Sequence, residues 1–118
     1  MVKVAAAITK VKIGDCKSNA EEIYRSIVEA DGAGVEIVCF PELSITSYTC
    51  GDLLFNSSLL RASEEALKYL LEKTRKLDII SIVGMPIKSG NRLYDTAVVL
   101  QRGNILGVVP KTSISDNN

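Results

Sequence analysis

Residues 35–43 read VEIVCFPEL: an apolar run of strand length, then a proline, then a carboxylate. Such a run is typical of a strand that is covered on both faces, as in parallel sheets packed between helices. Because proline cannot donate a hydrogen bond to the sheet, we expect the strand to end at Pro41, with Glu42 following directly. Binding sites in α/β sheets form beyond the carboxyl ends of the strands, so Glu42 is placed to point into one.

The same order returns near the end of the chain. Residues 107–111 read GVVPK, which gives an apolar run, Pro110 and then Lys111, and a third apolar run ends at Pro86. Glu42 is a candidate general base, because desolvation at a strand end can raise the pKa of a carboxyl group. Lys111 is a candidate for stabilising a developing oxyanion. Each residue alone is equally consistent with a solvated surface side chain, and the shared order makes the pair more specific.

Hydrophobic periodicity around these two residues predicts an α/β fold with two helices on one face of a mixed sheet. We expect a second sheet, from further sequence or from a partner chain, to cover the other face. The first helix begins at a capping box, Ser18 to Glu21, and the second is capped by Ser57 or Ser58 and runs to about Lys76. The predicted strands are 2–8, 35–40, 79–85, 93–100 and 105–109, with a loop at 43–56 and a polar tail at 112–118.

Composition limits the classes of function. The 118 residues suit one domain, and 14 basic and 14 acidic residues cancel, so no nucleic acid or anionic membrane partner is indicated. No apolar stretch is long enough to span a bilayer and the N-terminus is not a signal peptide, so we expect a cytoplasmic protein. The chain has no histidine, which excludes Ser-His-Asp and Cys-His sites and leaves carboxylate, lysine, tyrosine or thiol for acid–base chemistry.

The three cysteines are odd in number and lack metal-ligand spacing, which favours reduced thiols and no metal site. Cys39 lies within a predicted strand and is expected to be a small core residue. Cys16 and Cys50 lie in predicted loops and are expected to be exposed. None of the three has the neighbours of a nucleophile.

Four segments carry a resemblance to a known family. Residues 40–43 (FPEL), 48–53 (YTCGDL), 93–99 (LYDTAVV) and 103–111 (GNILGVVPK) resemble the nitrilase, or carbon–nitrogen hydrolase, superfamily from Val2 to about Lys111. The YTCGDL segment is most similar to the branch that forms the glutaminase domain of glutamine-dependent NAD synthetases. Residues 1–111 would then be the N-terminal, incomplete part of such a domain, and residues 112–118 a divergent tail.

The resemblance implies the first half of an α-β-β-α sandwich and a Glu-Lys-Cys triad. It assigns the general base to Glu42, the oxyanion-stabilising lysine to Lys111 and a glutamine-pocket tyrosine to Tyr48. The nucleophilic cysteine lies further along the family's sequence, so we expect these 118 residues alone to be inactive. No cofactor is implied for this portion; ATP and magnesium belong to the separate synthetase domain. The chain departs from the family at Asp95, where asparagine is common, and at Ser47, where glycine is common.

Other functions fit the same residues. The chain is also consistent with another amidase or carbamoylase of the superfamily, or with a non-catalytic fragment that forms homo-oligomers through its exposed sheet face. A flavodoxin-like binding module fits less well, because that fold keeps alternating strand and helix, whereas this chain ends in three predicted strands. The substrate expected from the resemblance is a small amide, glutamine.

Overall fold

The computed structural model describes residues 1–47 and 56–113 of the chain. Within them two helices and five strands follow one another in the order β-α-β-α-β-β-β. The predicted sequence of elements is therefore confirmed. The elements are β1 (Val4–Ala6), α1 (Cys16–Gly32), β2 (Ile37–Cys39), α2 (Ser57–Lys73), β3 (Ile80–Ser89), β4 (Arg92–Gln101) and β5 (Asn104–Ser113).

The five strands form one mixed sheet in the order β1-β2-β3-β4-β5. The first three strands are parallel, and each connection between them contains one helix. The last three are antiparallel and joined by tight turns, in which Gly90 and Gly103 adopt the left-handed conformation that glycine takes without strain. The sheet therefore has a parallel half made by crossovers and an antiparallel half made by hairpins.

Both helices pack on one face of the sheet, the helix-covered face. Ile23 and Ile27 of α1 and Leu70 of α2 are fully buried, in the same cluster as Val83 of β3 and Val98 of β4. Val83 and Val98 are register partners, so they point to the same side of the sheet. This is the α/β arrangement, with two helices on one face, that the periodicity predicted.

The opposite face, called here the open face, carries the alternate residues of the same strands: Val4, Cys39, Ile82, Val99 and Val109. Cys39 pairs with Ile82 and is exposed, so the expectation that it lies in the core is wrong. Strand alternation is the reason, because Val38 beside it takes the helix-covered side. Cys16 is the reverse case: it is the first residue of α1 and is buried, not exposed.

The caps of both helices differ from the prediction. Asp15 caps α1 by accepting from the backbone N–H of Ser18, and Asn56 caps α2 by accepting from those of Ser58 and Leu59. Asp and Asn are preferred caps because a short side-chain oxygen reaches these free amides. The predicted serine caps lie one to three residues inside the helices, and α2 ends at Lys73 rather than Lys76.

The prolines also divide differently from the prediction. Pro41 follows the end of β2, as expected, but Pro86 lies inside β3 opposite Asp95, and Pro110 inside β5 opposite Thr96. At Pro86 the strand has passed the end of β2, and β5 is an edge strand, so each proline lies where one side of its strand has no strand neighbour. Strand β5 consequently reaches Ser113, beyond the start of the predicted tail.

Across residues 1–47 and 56–113, no helix is both long and apolar enough to cross a membrane.

Candidate active site

Glu42 lies in a tight turn directly after β2, at the carboxyl end of that strand. The next residue, Leu43, has a φ of 51°, a left-handed conformation that costs a non-glycine residue about 1–2 kcal/mol. Leu43 is buried against Leu93, and its carbonyl accepts from the backbone N–H groups of Thr46 and Ser47. Packing and hydrogen bonds thus hold the turn, and with it Glu42, in one conformation.

The turn crosses β3 at Gly84, where the two backbones are in direct contact. A Cβ atom on Gly84 would lie 2.4 Å from the Leu43 nitrogen and 2.8 Å from the Pro41 oxygen. Gly84 also donates its N–H to the Ser44 hydroxyl and accepts from the Ile45 N–H through its carbonyl. Only glycine permits this approach, so Gly84 fixes the height of Glu42 above the sheet.

Helix α1 holds the far end of the turn. Asn19 is buried, and its side chain makes three hydrogen bonds. The side-chain oxygen accepts from the Lys12 N–H, and the side-chain nitrogen donates to the carbonyls of Lys12 and Ile45. The Gly14 N–H donates to the Thr46 carbonyl. A fully satisfied buried amide of this kind ties the loop before α1 to the turn that carries Glu42.

Lys111 reaches the site from β5, an edge strand of the sheet, through a β-bulge. Thr96 pairs with Pro110 and Asp95 pairs with Thr112, so Lys111 is an extra residue with no partner on β4. A bulge bends the strand and redirects the side chain of the extra residue.

The two predicted residues meet: the Lys111 Nζ lies 2.8 Å from the Glu42 Oε2. The hydrogen bond from Lys111 and its positive charge lower the pKa of Glu42, and the bond to Glu42 raises the pKa of Lys111. The effect of Lys111 outweighs desolvation, so the pKa of Glu42 is lowered and not raised as expected, which favours the ionised carboxylate. Both side chains are about two-fifths exposed, so the contact can open to admit a substrate. Their catalytic roles remain a prediction.

Asp95 is the site residue that the sequence reasoning did not assign. It lies on β4, is only 5% exposed, and interacts electrostatically with Glu42. Burial and then the nearby charge of Glu42 raise the pKa of Asp95 to about 6, against an opposing effect of Lys111. A signal for it was present in the sequence, because an aspartate inside an otherwise apolar strand is seldom buried without a partner.

A small pocket lies beside the ion pair, lined among others by Cys39, Glu42, Gly84, Ala97 and Lys111. Tyr48, the predicted glutamine-pocket residue, and Cys50 lie outside the described residues. The described residues contain no cluster of histidine, cysteine, aspartate and glutamate suited to a metal ion. The arrangement offers a carboxylate, an ammonium group and a buried carboxyl group at one end of the open face.

Comparison with known proteins agrees with this geometry. The model of the family described as "Carbon-nitrogen hydrolase" matches residues 3–116. The glutamine-dependent NAD(+) synthetase of Mycobacterium tuberculosis is 39% identical over 111 residues, which cover 94% of this chain and 16% of that protein. The chain thus spans about one sixth of the length of this synthetase.

Solved structures show the same fold. A glutamine-dependent NAD(+) synthetase from Cytophaga hutchinsonii superposes with a TM-score of 0.78 at 29% identity, covering 91% of this chain and 18% of that one. A cysteine-to-alanine variant of the amidase from Nesterenkonia sp. AN1, in complex with butyramide, superposes with a TM-score of 0.83 at 19% identity, covering 98% of this chain and 45% of that one. The second likeness concerns the fold alone. On the family match and the fold, this chain belongs to the carbon–nitrogen hydrolase family.

Proposed function

We propose that this chain is part of a glutaminase domain, which hydrolyses the side-chain amide of glutamine and supplies ammonia for NAD synthesis. The observation that carries the proposal is the contact between Glu42 and Lys111, which brings an ionised carboxylate and an ammonium group to one pocket from opposite sides of β3 and β4. The names of the similar synthetases support glutamine as the amide and NAD as the product of the complete protein.

In the proposed reaction Glu42 accepts the proton of a cysteine thiol that lies outside these 118 residues. The thiolate then attacks the amide carbon, and Lys111 stabilises the negative charge on the amide oxygen. Glu42 returns its proton to the amide nitrogen, which leaves as ammonia, and the thioester that remains is hydrolysed by water to glutamate and free thiol. Glu42 is suited to the first step because its lowered pKa keeps it ionised and able to accept a proton at neutral pH.

Three further points complete the proposal: the residue that contacts glutamine, the cofactors and the cover of the open face. Tyr48 is proposed to contact the glutamine side chain. No cofactor is assigned to this portion, and ATP and magnesium are placed in a synthetase domain outside it. The open face, where Val4 is 61% and Val109 54% exposed, is proposed to be covered by further chain or by a second copy.

A different amidase or carbamoylase is the alternative, which the match to the carbon–nitrogen hydrolase family over residues 3–116 also allows. The two candidate functions differ in the fate of the ammonia. A glutaminase domain that serves a synthetase passes its ammonia to NAD formation, whereas an amidase releases it. NAD formation with glutamine as nitrogen donor is therefore the measurement that separates them.

The test replaces Glu42 by glutamine in a full-length polypeptide that contains this segment. Glutamine-dependent NAD formation should fall at least about 100-fold, the usual contribution of a general base, while ammonium-dependent formation is retained. Glu72→Gln, an exposed carboxylate on α2, is the matched control and should change neither rate. Equal loss of both rates with Glu42→Gln would contradict the assignment, as would measurable ammonia release from glutamine by the purified 118-residue chain.

A further inference from the structure

Asp95 and Glu42 form a pair of carboxyl groups that interact with the same cation, Lys111. Lys111 lies 2.8 Å from Glu42 and also acts electrostatically on Asp95. Burial and then the negative charge of Glu42 raise the pKa of Asp95, and a hydrogen bond between the two carboxyl groups requires a proton on one of them, because an ionised carboxylate has no donor. Two carboxylates so close cannot both ionise at low cost, so the pair holds one proton over part of the pH range.

The surroundings of the two carboxyl groups decide which of them holds the proton. Glu42 is two-fifths exposed and in contact with the ammonium group, whereas Asp95 is 5% exposed. Among the described residues, the Oδ1 atom of Asp95 has no hydrogen-bond partner. An ionised carboxylate with an unpartnered oxygen is costly to bury, and a protonated one much less so. The proton therefore belongs on Asp95.

On the neighbouring elements that the structure describes, the groups that face Asp95 do not compete for this proton. On β3, Pro86 lies directly opposite Asp95, and the nearest cation of that strand, Lys88, pairs with Leu93. On β5, Thr112 is the register partner of Asp95 and Lys111 is the bulged residue. At the end of β2, the Cys39 thiol lines the same pocket and acts on Lys111 rather than on Asp95.

We propose that Asp95 is a positioning residue that keeps a proton and donates it as a hydrogen bond to the Glu42 carboxylate. The pair then carries one negative charge, which Lys111 balances, and Glu42 is held in place by donors on two sides. If the proposed glutaminase function is correct, Asp95 sets the direction and the ionisation of the general base below about pH 6, where it holds its proton, without touching the substrate. Deprotonation of Asp95 would add a second negative charge beside Glu42 and break the hydrogen bond.

The test is a titration of the full chain by NMR, with ¹³C-labelled carboxyl groups of aspartate and glutamate and labelled lysine side chains. We expect the Asp95 carboxyl to titrate near pH 6. In Asp95→Asn, which keeps a donor for Glu42 but has no charge, that titration disappears. The pKa of Lys111 should fall in the same variant, because the Asp95 charge that raises it is gone. Asp78→Asn, an exposed aspartate paired with Arg102, is the control and should change neither value.

An Asp95 carboxyl that titrates at its ordinary value near 3.8 would overturn the proposal, as would an unchanged pKa of Lys111 in Asp95→Asn. If Asp95→Asn does not fold, Glu42→Gln gives the same test in another form. The neutral amide removes the neighbouring charge and can donate to Asp95, so the pKa of Asp95 must fall, and a constant value refutes the pair. These titrations need no substrate, so their outcome is independent of whether the glutaminase proposal holds.

Discussion

The helix-covered face and the open face of this sheet are made by the same strands but differ in composition and in role. On β4, Val98 is completely buried under the helices, whereas Asp95 faces the other side beside Glu42 and Lys111. Stability depends on one set of alternate residues and the proposed chemistry on the other. A slip of one residue in register would exchange the two sets, so the helix-covered core also fixes which side chains reach the site.

The largest expected effect comes from adjacent valines on the two faces. Val98→Ala should lower the free energy of unfolding by about 2–3 kcal/mol, because it removes buried methyl groups and leaves a cavity. Val99→Ala, on the partly exposed open face, should cost about 1 kcal/mol or less. Urea denaturation followed by circular dichroism measures both. Equal losses would show that the open face is as well packed as the helix-covered one.

The second expected effect separates two glycines of the sheet, one on β3 and one on β5. Gly84→Ala should destabilise the chain by about 1–3 kcal/mol, because its Cβ would meet the backbone of the turn at 2.4 Å. The turn should move with Glu42 and weaken the contact with Lys111, so the pKa of Lys111 should fall toward its ordinary value. Gly107→Ala, where a Cβ would meet nothing within 4 Å, should stay within about 0.5 kcal/mol of wild type. If Gly84→Ala changed neither stability nor the Lys111 pKa, the close contact would not position Glu42.

The smallest expected effect is a dependence of stability on pH. Asp95 has a higher pKa in the folded chain than in the unfolded one, so the folded state binds more protons between about pH 4 and pH 6. Stability due to Asp95 is therefore complete below pH 4 and is lost as the pH rises to 6. Glu42 and Asp15 have lowered pKa values, so their contributions to stability change with pH in the opposite direction. Both contributions are complete above about pH 4.5 and do not change at higher pH.

Denaturation curves between pH 4.5 and 6.5 provide the measurement. The fall in stability should be present in wild type and in Asp78→Asn, and absent in Asp95→Asn. A fall that persists in Asp95→Asn would assign it to another group.

The sequence predicted the pair of Glu42 and Lys111, although 69 positions separate them. It did so because β2 and β5 run in the same direction, so their carboxyl ends lie at the same end of the sheet, and an apolar run marks each of the two strands. The family resemblance is likewise confirmed by the match over residues 3–116. These predictions succeeded because apolar runs and the charged residues that follow them are local properties of the chain.

Features that depend on neighbouring strands could not be predicted. The bulge at Lys111 is defined by its pairing with β4, and the contact at Gly84 by a turn 41 residues earlier in the chain. The pKa of Asp95 results from burial and from Glu42, and neither is visible in its local sequence. Cys39 was assigned to the core for the same reason: an apolar run alone does not show which of its two faces is covered.

Strand β5 contains a second bulge: Val99 pairs with Gly107 and Leu100 with Ile105, which leaves Leu106 unpaired. Each bulge shifts the alternation of side chains by one residue, and two shifts restore the original phase. Between the two bulges, Gly107 and Val109 pair with residues of the open face. After Lys111, the alternation along β5 is the same as it was at the start of the strand. A single-residue insertion or deletion in β5 can thus be absorbed at either bulge, which makes this edge of the sheet a place where length can vary while the hairpin stays paired.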